Sequence, residues 1–415
     1  MKLGFAQKEI TPPLGLELGG YAGYRPNCGV HDALYCKVIL LEQEGVRYAL
    51  VALDLMCADE SLCGAIASAV APLGITGERL IVAAIHSHAA PAGVIGDAGA
   101  LARINRAIVP ENPAFRAYME SVVTAAAEGC KEAAAGLESF RVRCGIAQMP
   151  PLGSERHTGA AAEGKLTVAE FTLDGGKKVI LYNFPCHPTV LSAANLYVSA
   201  DFAGCIQKHL DADLAVFVNG AAGDISTRFT RRESSFKECE RMGALAAEHI
   251  NRLLQTAMPT EPRPLRGRRS NVKLAARQVE TVENAQKQLE ETTCNWQKAV
   301  EEGCDAATVR ILKSYVEGAG VNLEFAQNMV GIREFDLPVT VFKFAGLSFA
   351  TVPGEFYSTL LPEGVSPICY ANGYYRYLAD ENAYEASHYE ALAAIVARGG
   401  GEKLSNTIRQ MLEEL

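Results

Sequence analysis

Apolar and polar positions fall into segments whose lengths separate strands from helices. Lys37-Val38-Ile39-Leu40-Leu41 and Tyr48-Ala49-Leu50-Val51-Ala52-Leu53 flank the polar Gln43-Glu44-Gly45, which predicts a hairpin entering a sheet. Residues 80–85 are a continuous apolar run of the kind found in a strand covered on both faces. Between them 61–71 reads as a helix. Pro113 opens a second helix that runs to about Ala135 and stops at Gly136. A second hairpin is predicted from 166–173 and 178–184 across Asp174-Gly175-Gly176. A short helix follows Ser199 to His209, then a strand at 214–218 and a helix at 238–254.

From about 279 to 330 the chain turns rich in Glu, Gln and Lys, carries its single Trp, Trp296, and is interrupted at Gly303. This predicts a helical hairpin insertion, packed at the pocket mouth or serving as an arm to a second subunit, so a homodimer is the expected oligomer. Strands resume at 337–344 and 347–352 around Gly346, and 404–415 ends the chain as an amphipathic helix. The class is α/β: a mixed β-sheet core with helices on both faces, in one domain spanning 1–415 with the insertion at about 279–330.

Composition narrows the function. The 415 residues are 49% hydrophobic and 21% charged, enough to bury a core larger than a minimal domain's. A net charge of −9 offers no basic surface for nucleic acid or anionic lipid, which leaves a small-molecule partner. The first nine residues lack the apolar stretch of a signal peptide, and no run has the length of a membrane span; a cytoplasmic protein without stable membrane insertion is expected. Twelve cysteines are scattered singly, without a CxxC pair, as reduced thiols are. Cys186 adjoins His187, but strand neighbours face opposite ways, so it packs behind the histidine.

Three segments stand just past predicted strand ends: Ile85-His86-Ser87-His88, Pro185-Cys186-His187-Pro188-Thr189 and Val352-Pro353-Gly354-Glu355. Open α/β sheets place ligands at strand ends, and two imidazoles, one carboxylate and an open position make a hydrolytic zinc centre. His86 and His88, two residues apart, project to one face, and Pro188 holds the His187 backbone extended. The absence of an HxHxDH pattern argues against a metallo-β-lactamase. Each segment also has a plainer reading: hydrogen-bonded imidazoles at a sheet edge, or, for Glu355, a carboxylate opening a helix. The loop 219–226 contains Gly223, Asp224 and Ser226; it is either an oxyanion-binding turn or a plain tight turn, and it lacks the Gly-Lys-Ser/Thr ending of a P-loop. Asp54, after an apolar strand, either supports the metal ligands from behind or caps the next helix.

In order along the chain, these segments resemble the catalytic domain of the neutral, non-lysosomal ceramidase family. The similar stretches are Glu9-Ile10-Thr11-Pro12-Pro13-Leu14-Gly15, Gly20-Tyr21-Ala22-Gly23, 86–91, Cys186-His187-Pro188-Thr189, Ser199-Ala200-Asp201-Phe202, 219–226, Pro353-Gly354-Glu355 and the tyrosines near the end. The resemblance implies zinc (Zn2+) held by His86, His187, Glu355 and Tyr377. Tyr377 is taken over Tyr374 and Tyr375 because its spacing to Tyr384 and Tyr389-Glu390 repeats the family's. It further implies catalytic roles for His88, Arg156, Ser226 and Tyr389.

The activity so implied is hydrolysis of an amide (N-acyl) bond by zinc-activated water. His88 would shuttle the proton, and Arg156 with the loop from Gly223 to Ser226 would steady the oxyanion. Whether Ser226 attacks or positions substrate is left open. Two departures turn the expectation from ceramide toward a soluble N-acyl amine, ester or lactone. Neither the family's C-terminal immunoglobulin-like domain nor a signal peptide is expected of these 415 residues. The rival readings are an esterase or lactonase on the same metal site, a metal-stabilised binding protein without turnover, and a purely structural metal.

Overall fold

The computed structural model describes residues 1–96, 101, 104–105, 112–162, 164–260 and 262–415. Eight strands form the path of a nine-stranded mixed sheet: β1 (Lys2–Glu9), β2 (Tyr35–Gln43), β3 (Val46–Leu53), β4 (Leu80–Ala84), β5 (Glu138–Met149), β6 (Gly164–Leu173), β7 (Lys178–Phe184) and β8 (Leu214–Asn219), in the order β8-β7-β6-β5-β1-β2-β3-β4. Both predicted hairpins are present, β2–β3 and β6–β7, each antiparallel. The pairs β3–β4 and β7–β8 are parallel, so both deliver their chain ends to the same kind of edge.

A second sheet contains β9 (Arg266–Ala275), β10 (Glu334–Phe344), β11 (Leu347–Val352) and β12 (Val365–Cys369), with β11 and β12 parallel. It packs face to face on the first through Ile39, Ala52 and Phe171 on one side and Phe344, Phe349 and Ile368 on the other. Helices cover the outer faces. α1 (Glu60–Val70) and α2 (Pro113–Ala135) begin at Asp59 and Asn112, whose side chains accept from Leu62 N–H and Ala114 N–H. With α3 (Phe236–Thr256), α2 lies on the large sheet. α4 (Val282–Glu301) and α5 (Ala306–Asn328) pack on each other within the connection from β9 to β10, and α6 (Gly400–Glu413) lies on β9 and β10. The result is an α/β/β/α layering: the expected helices on both sides, with a second sheet added beneath one of them. Among the described residues no helix is long and apolar enough to cross a membrane.

Candidate metal centre

The parallel pairs decide where the chemistry sits. His86 stands two residues past β4, His187 three past β7 and Glu355 three past β11, each at the carboxyl end of its strand. Asn219, the last residue of β8, joins two of these ends: its side-chain amide donates to the carbonyls of Ile85 (3.2 Å) and Cys186 (3.1 Å) and accepts from Cys186 N–H (3.3 Å). His86 adopts a left-handed backbone (φ 73°), uncommon for a side chain of this size and characteristic of functional positions.

The three expected residues converge. His86 Nε2 lies 3.1 Å from His187 Nε2, and Glu355 Oε2 is 3.0 Å from His187 Nε2 and 3.5 Å from His86 Nε2. His88 Nε2 is 3.2 Å from His86 Nε2, so both histidines of that segment do reach one place. All four side chains are buried.

Their hydrogen bonds define the donor set. His86 Nδ1 lies 2.7 Å from the Met56 carbonyl, and His187 Nδ1 2.6 Å from that of Ala222. A carbonyl only accepts, so both Nδ1 atoms carry a proton, and in the neutral tautomer each ring presents a bare lone pair at Nε2. Burial, then the charge of Arg156, pushes His187 down to about 4. Burial alone would raise Glu355, but positive charge or a donated proton on the His86 and His187 side outweighs it and holds the carboxyl well below the usual carboxylate range. Lone pairs facing each other at 3.1 Å around a buried carboxylate repel unless a proton or a metal cation lies among them. The residues therefore fit a zinc ion, and the backbone carbonyls behind the rings are the orienting partners that metal-bound histidines require.

His88 is held differently. Burial and the rings of His86 and His187 keep it neutral, and its Nδ1 has no hydrogen-bond partner among the described residues. Only the contact of its Nε2 with His86 Nε2 (3.2 Å) bears on its tautomer, as suits a group that passes a proton from one nitrogen to the other. The ring is gripped by packing: Tyr21 meets it edge-on at 4.8 Å, and Gly20 (φ 86°) lies flat against it. The buried Arg25 donates to the carbonyls of His88, Gly19, Ala193 and Asn195, tying three segments together around this ring. A Cβ at Gly20 would stand 2.4 Å from His88 Cγ. Gly20→Ala is thus expected to displace the imidazole and lower kcat on the order of 100-fold with metal content unchanged, read by steady-state kinetics alongside elemental analysis.

A cavity of about 400 Å³ opens onto His86, His88 and Glu355. Its walls include Tyr21, Tyr374, Tyr377, Tyr389 and, from α5, Val321 and Glu324; Glu324 pairs with Arg376 at 2.8 Å. Tyr374 donates to Glu355 Oε1 (2.6 Å), and Tyr370 stacks on the His86 ring at 4.0 Å. Burial keeps the Tyr377 phenol neutral, and its oxygen accepts from Arg156 (3.0 Å). The Tyr389 ring packs edge-on against Tyr377 at 6.0 Å, its phenol pushed up to about 12 by burial.

Arg156 also donates to Glu390 Oε1 (3.0 Å), while Glu390 Oε2 meets His157 Nε2 (2.8 Å) and the Tyr357 hydroxyl (3.2 Å). Burial would raise Glu390, yet His157 and Arg156 outweigh it and hold it at about 2. For His157, burial lowers the pKa but the bond to Glu390 outweighs this and raises it above 6.5. A group raised on folding stabilises fully below its unfolded pKa and loses that contribution as pH rises through the folded one. The melting-temperature difference between the protein and His157→Gln should therefore shrink as pH rises above 6.5.

Four expectations change. Gly223 N–H donates to the Phe356 carbonyl (2.8 Å), so it is not free for an oxyanion; a Cβ there would lie 2.7 Å from the Glu355 carbonyl oxygen, which makes Gly223 the close contact between two active-site loops. The Asp224 carboxylate accepts from Ser358 N–H (2.8 Å) and the Ser358 hydroxyl (2.6 Å), locking the chain just after Glu355. Asp54 accepts from Tyr35 N–H (2.9 Å) and touches neither metal ligand nor helix start, the cap being Asp59. Glu355 opens no helix: Glu355–Phe356 pairs in parallel with Tyr377–Leu378, bringing that tyrosine alongside. Ser226 is buried, with its hydroxyl accepting from Arg228 N–H (3.4 Å); its backbone pairs with that of His187 in a parallel bridge. Asn219, Tyr374, Gly20 and Glu390 are the supporting residues that sequence reasoning did not assign.

The architecture defines an α/β protein of two packed sheets with a cluster of buried imidazoles and a carboxylate at the strand ends. No protein-family model and no curated protein matches the sequence. Solved structures do. Neutral ceramidase from Pseudomonas aeruginosa is similar over 99% of this chain and 73% of its own, with a TM-score of 0.76 at 16% identity. A ceramidase complexed with C2 is similar over 100% of this chain and 75% of its own, with a TM-score of 0.75 at 16% identity. The fold is that of neutral ceramidase, as the resemblance implied.

Proposed function

We propose that the chain is a zinc-dependent hydrolase that cleaves the amide bond of a small N-acyl substrate. The observation that carries this reading is the convergence of two Nδ1-protonated, Nε2-bare imidazoles on a buried carboxylate at the floor of a cavity. His86, His187 and Glu355 would hold the ion, with Tyr377 as the fourth ligand. Zinc bound there lowers the pKa of water to about 7 and polarises an acyl carbonyl.

The chain's own groups supply the rest. His88, neutral and free at Nδ1, accepts the proton given up by the attacking water and returns it to the leaving nitrogen, a transfer an amine leaving group needs more than an alkoxide does. Arg156, fixed by Glu390, keeps an Nε–H without an acceptor and adds positive charge beside the developing oxyanion. Glu390 is a positioning residue for Arg156. Val321 and Glu324 of α5, with Tyr389, would bound the substrate.

The test is turnover of matched N-acyl amines, esters and lactones of equal acyl length. Amide cleavage that is lost in Arg156→Ala supports the proposal. Turnover of esters or lactones alone would replace it with an esterase or lactonase, and no turnover of any substrate by the metal-loaded protein would leave a binding role.

A further inference from the structure

At one margin the two sheets do not close on each other. Ile39, Leu50 and Ile81 stand side by side across β2, β3 and β4, and the facing row in the second sheet is Gly267, Phe342 and Phe349. Side chains between packed sheets ordinarily lose nearly all their exposure. Here Leu50, Ile81 and Phe342 remain only partly buried, around a cavity of about 420 Å³. Phe342 and Phe349 stack at 4.9 Å to make one wall, and Gly267 packs closely beside Phe342, where a Cβ would stand 3.1 Å from Phe342 Cβ.

Three guanidinium groups edge this apolar space: Arg79, Arg268 and Arg269. Arg79 meets Glu78 at 3.6 Å, Arg268 pairs with Glu414, and Arg269 donates to the Gly77 carbonyl. Among the residues lining the cavity these three cations stand against one carboxylate, Glu78; Glu414 reaches Arg268 from outside the lining, and Glu60 and Asp336 lie on the far side of Arg269, in a neighbouring pocket. The metal cavity shares no lining residue with this one, and the two lie at opposite ends of β4: Arg79 precedes the strand and His86 follows it.

We propose that this inter-sheet cavity is a second ligand site that takes an amphiphile with one apolar chain and a carboxylate head. A chain filling the gap removes apolar surface from water on both partners, and the head finds the planar, forked donors that match a carboxylate. A cationic head is repelled by the same edge, and a neutral one forgoes the ion pair. This site is independent of the reaction assigned to the metal centre.

Decanoate, decanol and decyltrimethylammonium share a chain and differ in the head, so they separate the two contributions. Isothermal titration calorimetry on the full chain carrying His187→Ala keeps any metal-bound carboxylate out of the measurement. The expected result is one decanoate per chain, at least about tenfold weaker binding of decanol, and none of decyltrimethylammonium. Arg268→Glu, on an exposed side chain, should weaken decanoate about tenfold or more, and Leu50→Trp should abolish it by filling the gap. Circular dichroism and melting of each variant establish folding; Arg79→Glu takes the place of any variant that does not fold. Absence of decanoate binding, equal affinity for all three heads, or indifference to the arginine changes would overturn the proposal. So would sedimentation showing that this face is closed by a second copy of the chain.

Discussion

His187→Ala should leave a protein that binds no zinc and hydrolyses its best substrate roughly 10³- to 10⁴-fold more slowly, because a catalytic metal contributes several kcal/mol and each 1.36 kcal/mol is tenfold in rate. His187 is the residue to choose because it touches both partners: Nε2 is 3.1 Å from His86 and 3.0 Å from Glu355. Its loss removes one neutral ligand and leaves Glu355 ionised, buried and short of partners. Such a carboxylate either takes up a proton or destabilises the fold, so the variant's melting temperature should also improve as pH is lowered, where the wild-type protein's falls. Kinetics and a melting series across pH check both halves.

The second large effect concerns His88. His88→Ala is expected to keep full metal content and lose about 10²- to 10⁴-fold in kcat, the range of a general acid–base group. Added imidazole, which fits the space vacated between Tyr21 and Gly20, should restore part of the rate in a concentration-dependent way. The geometry makes this a sharp test, since His88 Nε2 is as near to His86 as His187 Nε2 is. If His88→Ala releases the metal, then His88 is a ligand and the proton must be carried by another group.

Much of this arrangement was legible in the chain. The hairpins β2–β3 and β6–β7 and the apolar β4 and β8 declared themselves because buried strands need uninterrupted apolar runs, and the histidines stood visibly at their ends. β9 did not, because Arg266-Gly267-Arg268-Arg269-Ser270 alternates in no pattern: it is an edge strand with much of its length exposed. β1 was read only for the absence of a leader, although it pairs along its whole length with β2. The second sheet's position over the first was invisible, since nothing local encodes which face of a strand meets which neighbour.

At the site, the residues that converge were legible and their supports were not. Asn219 looked like part of a turn, yet its amide ties the His86 and His187 segments together across more than a hundred residues of sequence. Gly223 and Asp224 had the composition of an anion-binding turn, but tertiary contacts to Phe356 and Ser358 take their polar groups. The tyrosines were separated by spacing alone. In the fold Tyr374 bonds Glu355 and Tyr377 bonds Arg156, a division of labour that depends on the parallel pairing of Glu355–Phe356 with Tyr377–Leu378.

The central claim is that three side chains from three strand ends hold a catalytic metal. Elemental analysis of the protein purified without chelator, followed by chelation and stepwise return of zinc, tests it most directly. The account predicts close to one zinc per chain, with turnover of an N-acyl substrate lost on chelation and restored in proportion to zinc returned. Full turnover by the metal-free chain, or stoichiometric zinc whose removal lowers the melting temperature but leaves activity intact, would contradict it.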